Sequence, residues 1–560
     1  MGGHVFRSRL PDVDIPLQDL PTFWFSRMQQ IKAFANSESP RPVFVDGSEG
    51  SLETVFLPRM RRLSRQLASG LYHDVGVRAG DVVAIVLPNS VYYLAATLAV
   101  QMLGAACTPA NPAYTADELA VQLRHSGAKH VIAASTVLAT IRQAVGGTQI
   151  SLGGSVLYVS SASDALMTYG SADGARSLFS VLSDKPFPRF RPRTQGELQS
   201  TPAFVCYSSG TTGLPKGAML SHYNVVANIQ QGLAVQRQMA PARFQRKTLA
   251  VLPMFHSFGL VLMAHSLPLC GSTLVTMGAF DMKRFLRIIE EHRITDTLLV
   301  PPVINALARL PDAASAELAS LEWIVSGASP LCADTIQALE QRMPHVQVMQ
   351  GYGLTETSPG LSLNAPGQRK LASSGALLPN LECMVADDSG KALGTKETGE
   401  LCFRGPNVMM GYLHSRDETR RIIDASGFLH TGDVGFVDGE GHVHVTGRIK
   451  ELIKFNGFQV APAELEGVLM QHPLVADCAV AGVFDKERQT ELPRAFLVLR
   501  AGAADAEQTA QDVVRWANAR VAYYKRLRGG HVVVRAIPKN ASGKILRRKL
   551  GELIAPPVAS

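Results

Sequence analysis

A chain of 560 residues exceeds one compact core, and its length points to roughly three or four domains or subdomains. With 46% hydrophobic and 18% charged residues it reads as globular and able to bury a site. The net charge of +8 is local. Eleven Lys or Arg and no Asp or Glu lie between Asp512 and Glu552, and only Trp516, Tyr523 and Tyr524 accompany them, which disfavours a nucleic-acid partner.

The first 27 residues mix charges with prolines and lack the apolar run of a secretory signal, so no export is expected. Residues 90–107 and 248–280 carry no formal charge. Polar residues interrupt the first, and Pro253, Gly259, Pro268 and Gly271 cut the second, so both are expected as buried elements and not membrane spans. Between about residues 81 and 350, short Val/Ile/Leu-rich runs (82–87, 131–134, 156–160, 203–207, 249–252, 297–300, 323–326 and 346–350) alternate with amphipathic stretches. Continuous apolar runs predict parallel sheets covered on both faces, with ligands bound beyond the carboxyl ends of the strands. Residues 161–201, rich in Ser, Pro and Gly, are expected as the least structured part, with a loop around Pro186, Pro188 and Pro192. After Gly399 short strands and a hairpin signal at Asp438-Gly439-Glu440-Gly441 predict a small β subdomain. The fold class is therefore α/β. Residues 1–447 form a large N-terminal domain of helix-covered sheets plus the β subdomain, 448–453 a hinge, and 454–560 a small, mobile α+β domain. The seven scattered cysteines include no C-x-x-C pair and are expected as reduced, buried thiols.

Four apolar runs end in polar or glycine-rich motifs: Ser208 onward, Pro253-Met-Phe-His256, Ser326-Gly-Ala-Ser-Pro330 and Gly351-Tyr-Gly-Leu-Thr-Glu356. The first, residues 207–217, gathers hydroxyls, glycines and one lysine. Glycine frees backbone N–H groups to converge on an anion, Ser and Thr add donors, and Lys adds a point charge, which together suit polyphosphate. It is not a Walker A loop, because Pro215 stands where the second Gly belongs and Gly217 where the magnesium-binding Ser/Thr belongs.

With Gly399-Glu-Leu-Cys-Phe-Arg404-Gly405, Thr431-Gly432-Asp433, Gly447-Arg448 through Gln459, and Pro538-Lys539-Asn-Ala-Ser-Gly543-Lys544, these motifs cover most of the chain in order. The set resembles the acyl-adenylate-forming superfamily of acyl-CoA synthetases, plant-type 4-coumarate–CoA ligases and firefly luciferases. The resemblance implies two steps: a carboxylate attacks the α-phosphorus of MgATP to give an acyl adenylate and pyrophosphate, and the thiol of CoA then displaces AMP. It implies that Ser208, Ser209, Gly210, Thr211, Thr212, Gly213 and Lys216 hold the β- and γ-phosphates, with Thr355 contacting phosphate beside Gly351 and Gly353. Tyr352 would stack near adenine, with Gly327 and Ala328 close to the base, while Asp433 accepts both ribose hydroxyls and Arg448 steadies the ribose and phosphate side. Glu356 would hold Mg²⁺, a hard ion suited to carboxylate oxygen. Lys544 is the implied mobile lysine of adenylation and Lys450 the hinge residue. Lys454, Gly457 and Gln459 are implied on the thiol-transfer or adenylate face, Lys454 and Gly457 toward CoA. His256 is expected beside the substrate carboxylate as a positioning group. His442 and His444 read as a polar sheet face and not a metal site.

Phe258, Val325, Gly353, Pro359 and Gly360 are the implied substrate pocket. Coumarate ligases commonly place Tyr and Lys at the positions of Phe258 and Val325, and a buried phenol without a partner forfeits roughly 1 to 3 kcal/mol. The expected substrate is therefore an apolar aromatic or pyridine carboxylic acid, an aryl-alkanoic acid or a medium-chain fatty acid, possessing CoA as its thiol partner, in secondary metabolism; p-coumarate is disfavoured. The alternatives are an adenylating enzyme that loads a carrier protein and a non-catalytic adenylate-binding relative. The terminal Val558-Ala559-Ser560 is not Ser-Lys-Leu-like, so the cytoplasm is expected.

Overall fold

The computed structural model describes residues 4–35, 39–48, 53–146, 150, 155–159, 171–172, 175–208, 216–239, 246–310, 318–365, 369–456, 458–500, 505–540 and 543–553. Among these, two nine-stranded sheets dominate the chain ahead of residue 448. The first is centred on the parallel strands Val82–Val86, Ala106–Pro109, His130–Ala134 and Val156–Val159, continued by Pro202–Ser208 and, antiparallel, by Lys216–Ser221. The second runs parallel through Phe44–Asp46, Thr273–Thr276, Lys247–Ala250, Asp296–Leu299, Trp323–Ser326 and Gln347–Gly353. Helices cover both faces, which is why their strands read as unbroken apolar runs. Helix Val91–Met102 is buried along its whole length, Thr97 and Gln101 included. That accounts for its uncharged sequence, and no helix of the described residues is long and apolar enough to cross a membrane.

A five-stranded antiparallel sheet follows, in the order Val5–Arg7, Glu382–Ala386, Gly399–Arg404, Leu429–Val437 and Val443–Arg448. The expected turn at Asp438-Gly439-Glu440-Gly441 joins its last two strands, with Gly441 at φ +85°. The edge strand Val5–Arg7 pairs with Glu382–Ala386 from the far end of the chain, a pairing no local pattern announces. Within residues 161–201, Leu178 and Val181 anchor a buried 3₁₀ turn, Gln195–Ser200 is a helix capped by the Thr194 hydroxyl, and the stretch through Pro186, Pro188 and Pro192 is the expected loop, while residues 161–170 and 173–174 lie outside the described residues. None of the seven cysteines is in a disulfide; Cys270 and Cys332 are only partly buried and the other five are buried.

Beyond Arg448, strands Val475–Asp485, Thr490–Leu499 and His531–Val533 pack with helices Pro462–Met470 and Ala506–Asn518 around a core of their own that includes Ile453, Leu465, Val480, Leu497 and Val513. This unit docks on the larger one through Arg309, whose guanidinium donates to the carbonyls of Met470 (3.0 Å) and Ala476 (3.2 Å). Gly467 makes the approach possible, since a Cβ there would lie 2.7 Å from Cys332 Sγ.

Burial holds three imidazoles neutral. His222, His256 and His265 are each pushed down from the ordinary 6.5 to about 4, in every case mainly because the interior disfavours imidazolium. A histidine whose folded pKa lies below its unfolded value contributes stability that is complete above about 6.5 and is lost as pH falls toward 4, because the unfolded chain then binds protons the folded chain refuses. The urea midpoint of the protein should accordingly decline steeply between pH 6.5 and 4; a midpoint that holds level through that window would contradict the neutral, buried assignment.

Candidate functional site

Strands Trp323–Ser326 and Gln347–Gly353 end side by side, Ser326 opposite Gln350, and release two loops into a cleft at the carboxyl edge of the second sheet. Ala328 sits in the left-handed region at φ +71°, a conformation costly for a residue with a Cβ. Gly353 admits no side chain at all, because a Cβ would lie 1.9 Å from the Pro359 carbonyl oxygen.

Across the cleft stands Asp433, only 3% exposed and opposite Arg448 on the neighbouring strand. Arg448 Nε lies 2.8 Å from Asp433 Oδ1, and the Tyr352 hydroxyl donates to Oδ2 at 2.6 Å. Burial pushes the Asp433 carboxyl above its ordinary value, against the pull of Arg448, Tyr352 and Lys544. Burial also pushes the Tyr352 phenol up, helped by the Asp433 charge. A further layer fixes the turn: the Glu400 carboxylate accepts from Gly432 N–H (2.9 Å) and faces His430 Nδ1 (2.8 Å), while Thr431 Oγ1 accepts from Asp433 N–H (3.0 Å).

Lys544 enters the same cleft from the C-terminal unit. Its loop turns at Gly543, φ +77°, where a Cβ would lie 3.2 Å from Val300 of the larger unit. Backbone bonds between Asn540 and Lys544 (2.9 Å), and from Lys544 N–H to Asn540 Oδ1 (2.9 Å), close the turn. Burial lowers the Lys544 ammonium pKa and Arg448 adds to the effect, while Glu451, Asp433 and Glu356 oppose it.

A second branch of the cleft is lined by Lys216, His256, Thr355, Glu356, Tyr412, Lys450 and Lys544. Glu356, on the 3₁₀ turn Thr355–Thr357, accepts from the Tyr412 hydroxyl at 2.8 Å. Lys216 opens its strand, pairs with Glu418 and lies 5.3 Å from the Tyr412 ring centre. Its ammonium is thus held by a carboxylate beside the expected phosphate loop. His256 is neutral for two reasons, burial first and then the Lys544 charge, and its Nδ1 accepts from Phe258 N–H (3.4 Å).

From this junction an elongated pocket runs between the second sheet and helix His222–Met239, and it gathers Phe258, Val325, Gly327, Gly353, Pro359 and Gly360 with His256 at its mouth. The Phe258 ring lies across Gly327, where a Cβ would come within 2.7 Å.

The structure therefore brings together Ala328, Gly351, Tyr352, Gly353, Thr355, Glu356, Asp433, Arg448, Lys450, Lys544, Lys216 and His256 around one cleft, with Gly327 in the adjoining pocket. It does not bring Lys454 and Gln459 there. They are exposed cross-strand partners on the hairpin Ile453–Phe455/Phe458–Val460. Ser208 ends its strand opposite Lys216, and Ser209, Gly210, Thr211, Thr212, Gly213 and Gly457 lie outside the described residues. Of the two histidines expected on one strand face, His444 lies on strand Val443–Arg448 and His442 stands just ahead of it, and an aspartate faces both: Asp438 is 3.7 Å from His442 Nδ1 and 3.2 Å from His444 Nε2. Sequence reasoning missed Tyr412, Glu418 and Glu451. Tyr412 belongs to a two-residue strand whose place is set by pairing with Ala218 and Met219, so its own sequence carries no signal.

The AMP-binding enzyme family pattern matches residues 34–413, and that of the AMP-binding enzyme C-terminal domain matches residues 464–544. The chain is 36% identical to 4-coumarate–CoA ligase 5 of Oryza sativa subsp. japonica, over 98% of this chain and 97% of that one. It is 39% identical to 4-coumarate–CoA ligase-like 9 of the same plant, over 98% and 95%. Among solved structures it is similar to ATP-bound MatB from Rhodopseudomonas palustris, with a TM-score of 0.79 and 25% identity over 94% of this chain and 98% of that one. A match across more than half the chain, in an arrangement that joins a nucleotide-sized cleft to a second, lysine-bearing unit, places the protein in the AMP-binding enzyme family.

Proposed function

We propose that the protein is an AMP-forming acid–thiol ligase that activates a small carboxylic acid with MgATP and transfers the acyl group from the adenylate to CoA. The observation that carries this reading is the seating of Lys544 from the C-terminal unit above Asp433, Arg448 and Glu356, at the point where the nucleotide-sized cleft meets the elongated pocket. Nucleotidyl transfer is mainly positioning and charge neutralisation, and the cleft supplies both.

In this reading Asp433, already aimed by Arg448 and Tyr352, accepts the ribose hydroxyls, and the loops at Gly327-Ala328 and Gly351–Gly353 flank the base. Lys216 leaves Glu418 for the β- and γ-phosphates, a carboxylate giving up its cation to a more highly charged anion. The acyl carboxylate lies at the pocket mouth, where neutral His256 positions it by hydrogen bonding; no proton need be removed from an ionised nucleophile. Lys544 meets the charge that gathers as the carboxylate attacks the α-phosphorus. Glu356 offers the hard oxygen donor that Mg²⁺ prefers, in a branch of the cleft walled by three lysines, Lys216, Lys450 and Lys544. The ion, when bound, supplies neutralisation of the phosphates. Lys454 and Gln459, exposed on the far hairpin, reach the adenylate only after the C-terminal unit turns about residues 448–453, with Lys450 at the pivot, and CoA then meets Lys454 and the Gly457 turn. The cytoplasm is the compartment we assign.

The apolar side chains of Phe258, Val325 and Leu298 support an aryl, pyridine, aryl-alkanoic or medium-chain acid in preference to p-coumarate. Activity on cinnamate should exceed that on p-coumarate by about 5-fold or more, the effect of an unpaired buried phenol; a clear preference for p-coumarate would refute the pocket assignment. Lys544→Ala should slow acyl-adenylate formation by at least about 100-fold while sparing thioester formation from supplied acyl adenylate. Acyl-AMP appearing at near the wild-type rate in that variant, followed by AMP release and thioester mass, would remove Lys544 from the role given to it.

A further inference from the structure

The acyl pocket extends past the residues that the motifs indicate. Strands Asp296–Leu299 and Trp323–Ser326 run in parallel register, Asp296 opposite Trp323 and Leu298 opposite Val325. Side chains alternate along a strand, so both pairs face one side, and all four line the pocket. Leu298 and Val325 form its middle. Asp296 and Trp323 lie two residues farther from the cleft, about 7 Å along the strands. Arg246, just ahead of strand Lys247–Ala250, and Gln236, one turn beyond Gly232 on the facing helix, complete the far end.

This end is polar and unevenly satisfied. Asp296, 4% exposed in its side chain, accepts from Arg246 Nε (3.3 Å) and Thr295 Oγ1 (2.8 Å) on Oδ1, and from the Thr248 hydroxyl on Oδ2. Three of the roughly four acceptor sites of the carboxylate are thus filled. The Arg246 guanidinium, 16% exposed, has spent one of its donors, and its Nη nitrogens make no hydrogen bond to a described residue. Gln236 Oε1 takes the Cys270 thiol as its donor, which leaves the amide N–H₂ as the group still to be matched. Two sets of N–H donors therefore converge on the end of an otherwise apolar tube, beside a carboxylate that cancels the guanidinium charge.

We propose that Arg246 and Gln236 read a neutral oxygen acceptor, a ketone or hydroxyl, at the far end of the acyl chain. This deepens the ligase reading and rests on it. A second carboxylate is not called for, because Asp296 already neutralises Arg246. From Gly327 at the cleft to Trp323 is four residues, about 13 Å at the strand rise, which an extended chain spans in roughly ten bonds. The acceptor thus belongs at the distal end of a medium-chain acid, whereas the hydroxyl of a hydroxycinnamate stops among Leu298, Val325 and Phe258. An acid that lacks the acceptor leaves buried donors unpaired, which corresponds to roughly 5- to 150-fold in preference.

The test compares kcat/KM for 9-oxodecanoate and decanoate, read as CoA-dependent AMP release by the full-length protein. The wild type should favour the keto acid by about 5-fold or more. Gln236→Leu, and Arg246→Met combined with Asp296→Leu so that no buried charge is stranded, should each pull that ratio down toward one or below. Because both acids are measured on the same preparation, loss of folded protein cancels from the ratio. Decanoate turned over as well as or better than the keto acid by the wild type, or a keto preference that survives in both variants, overturns the inference and leaves the ligase reading standing. No AMP release with these or any aryl or fatty acid overturns the ligase reading and the inference with it.

Discussion

Everything at the cleft depends on keeping the Asp433 carboxylate charged and aimed while almost no water reaches it. Removing an ion from water costs several kcal/mol unless its partners replace the solvent. Arg448 and Tyr352 do so from two different sheets, one on the adjacent strand and one at the carboxyl edge of the parallel sheet. The constraint therefore welds the small antiparallel sheet to the larger architecture at Arg448, where the chain leaves for the C-terminal unit. Just beyond it, Arg547 Nε binds Glu451 at 2.9 Å and the same guanidinium reaches Glu466 and the Val480 carbonyl (2.8 Å), so the turn Ile449–Glu451 is tied to the C-terminal unit by a partly buried cation.

The charges around the cleft share one logic, in which the cations sit among carboxylates. Lys216 rests on Glu418, and Lys544 is lowered by burial yet drawn by Glu451, Asp433 and Glu356. Such pairs keep cations near the surface they must serve without stranding them unpaired. His256 is the exception, since burial and the nearby Lys544 charge keep it neutral, and a neutral imidazole can donate a hydrogen bond without adding charge. The exposed hairpin with Lys454 and Gln459 stands apart from this network. The C-terminal unit thus carries two separate sets of polar side chains, Lys544 in the cleft and the Lys454–Gln459 pair on its exposed hairpin.

The elongated pocket divides in the same physical terms. Near the cleft its walls are apolar, and close packing of Phe258 on Gly327 narrows the mouth. Two residues deeper along the strands the wall becomes an ion pair. The alternation of side chains along parallel strands fixes both, so the pocket's chemistry changes in steps of one side-chain pair.

The sequence by itself determined the β-α alternation, the antiparallel subdomain with its turn at Asp438 to Gly441, and the set of motifs that supply Tyr352, Glu356, Asp433, Arg448 and Lys544. These are local properties: apolar periodicity dictates strands, and glycine-rich or charged strand ends mark loops that cannot be core. Only the tertiary structure decided what long-range pairing controls. Tyr412 reaches Glu356 because two residues add to a distant sheet edge, Val5–Arg7 pairs with a strand more than 370 residues away, and Lys544 arrives from another unit. The same holds for Arg246 and Asp296, which are ordinary charged residues in sequence and become a pocket wall when parallel register sets Asp296 beside Thr248 and Trp323. Register is a relation between segments, and no single segment carries it.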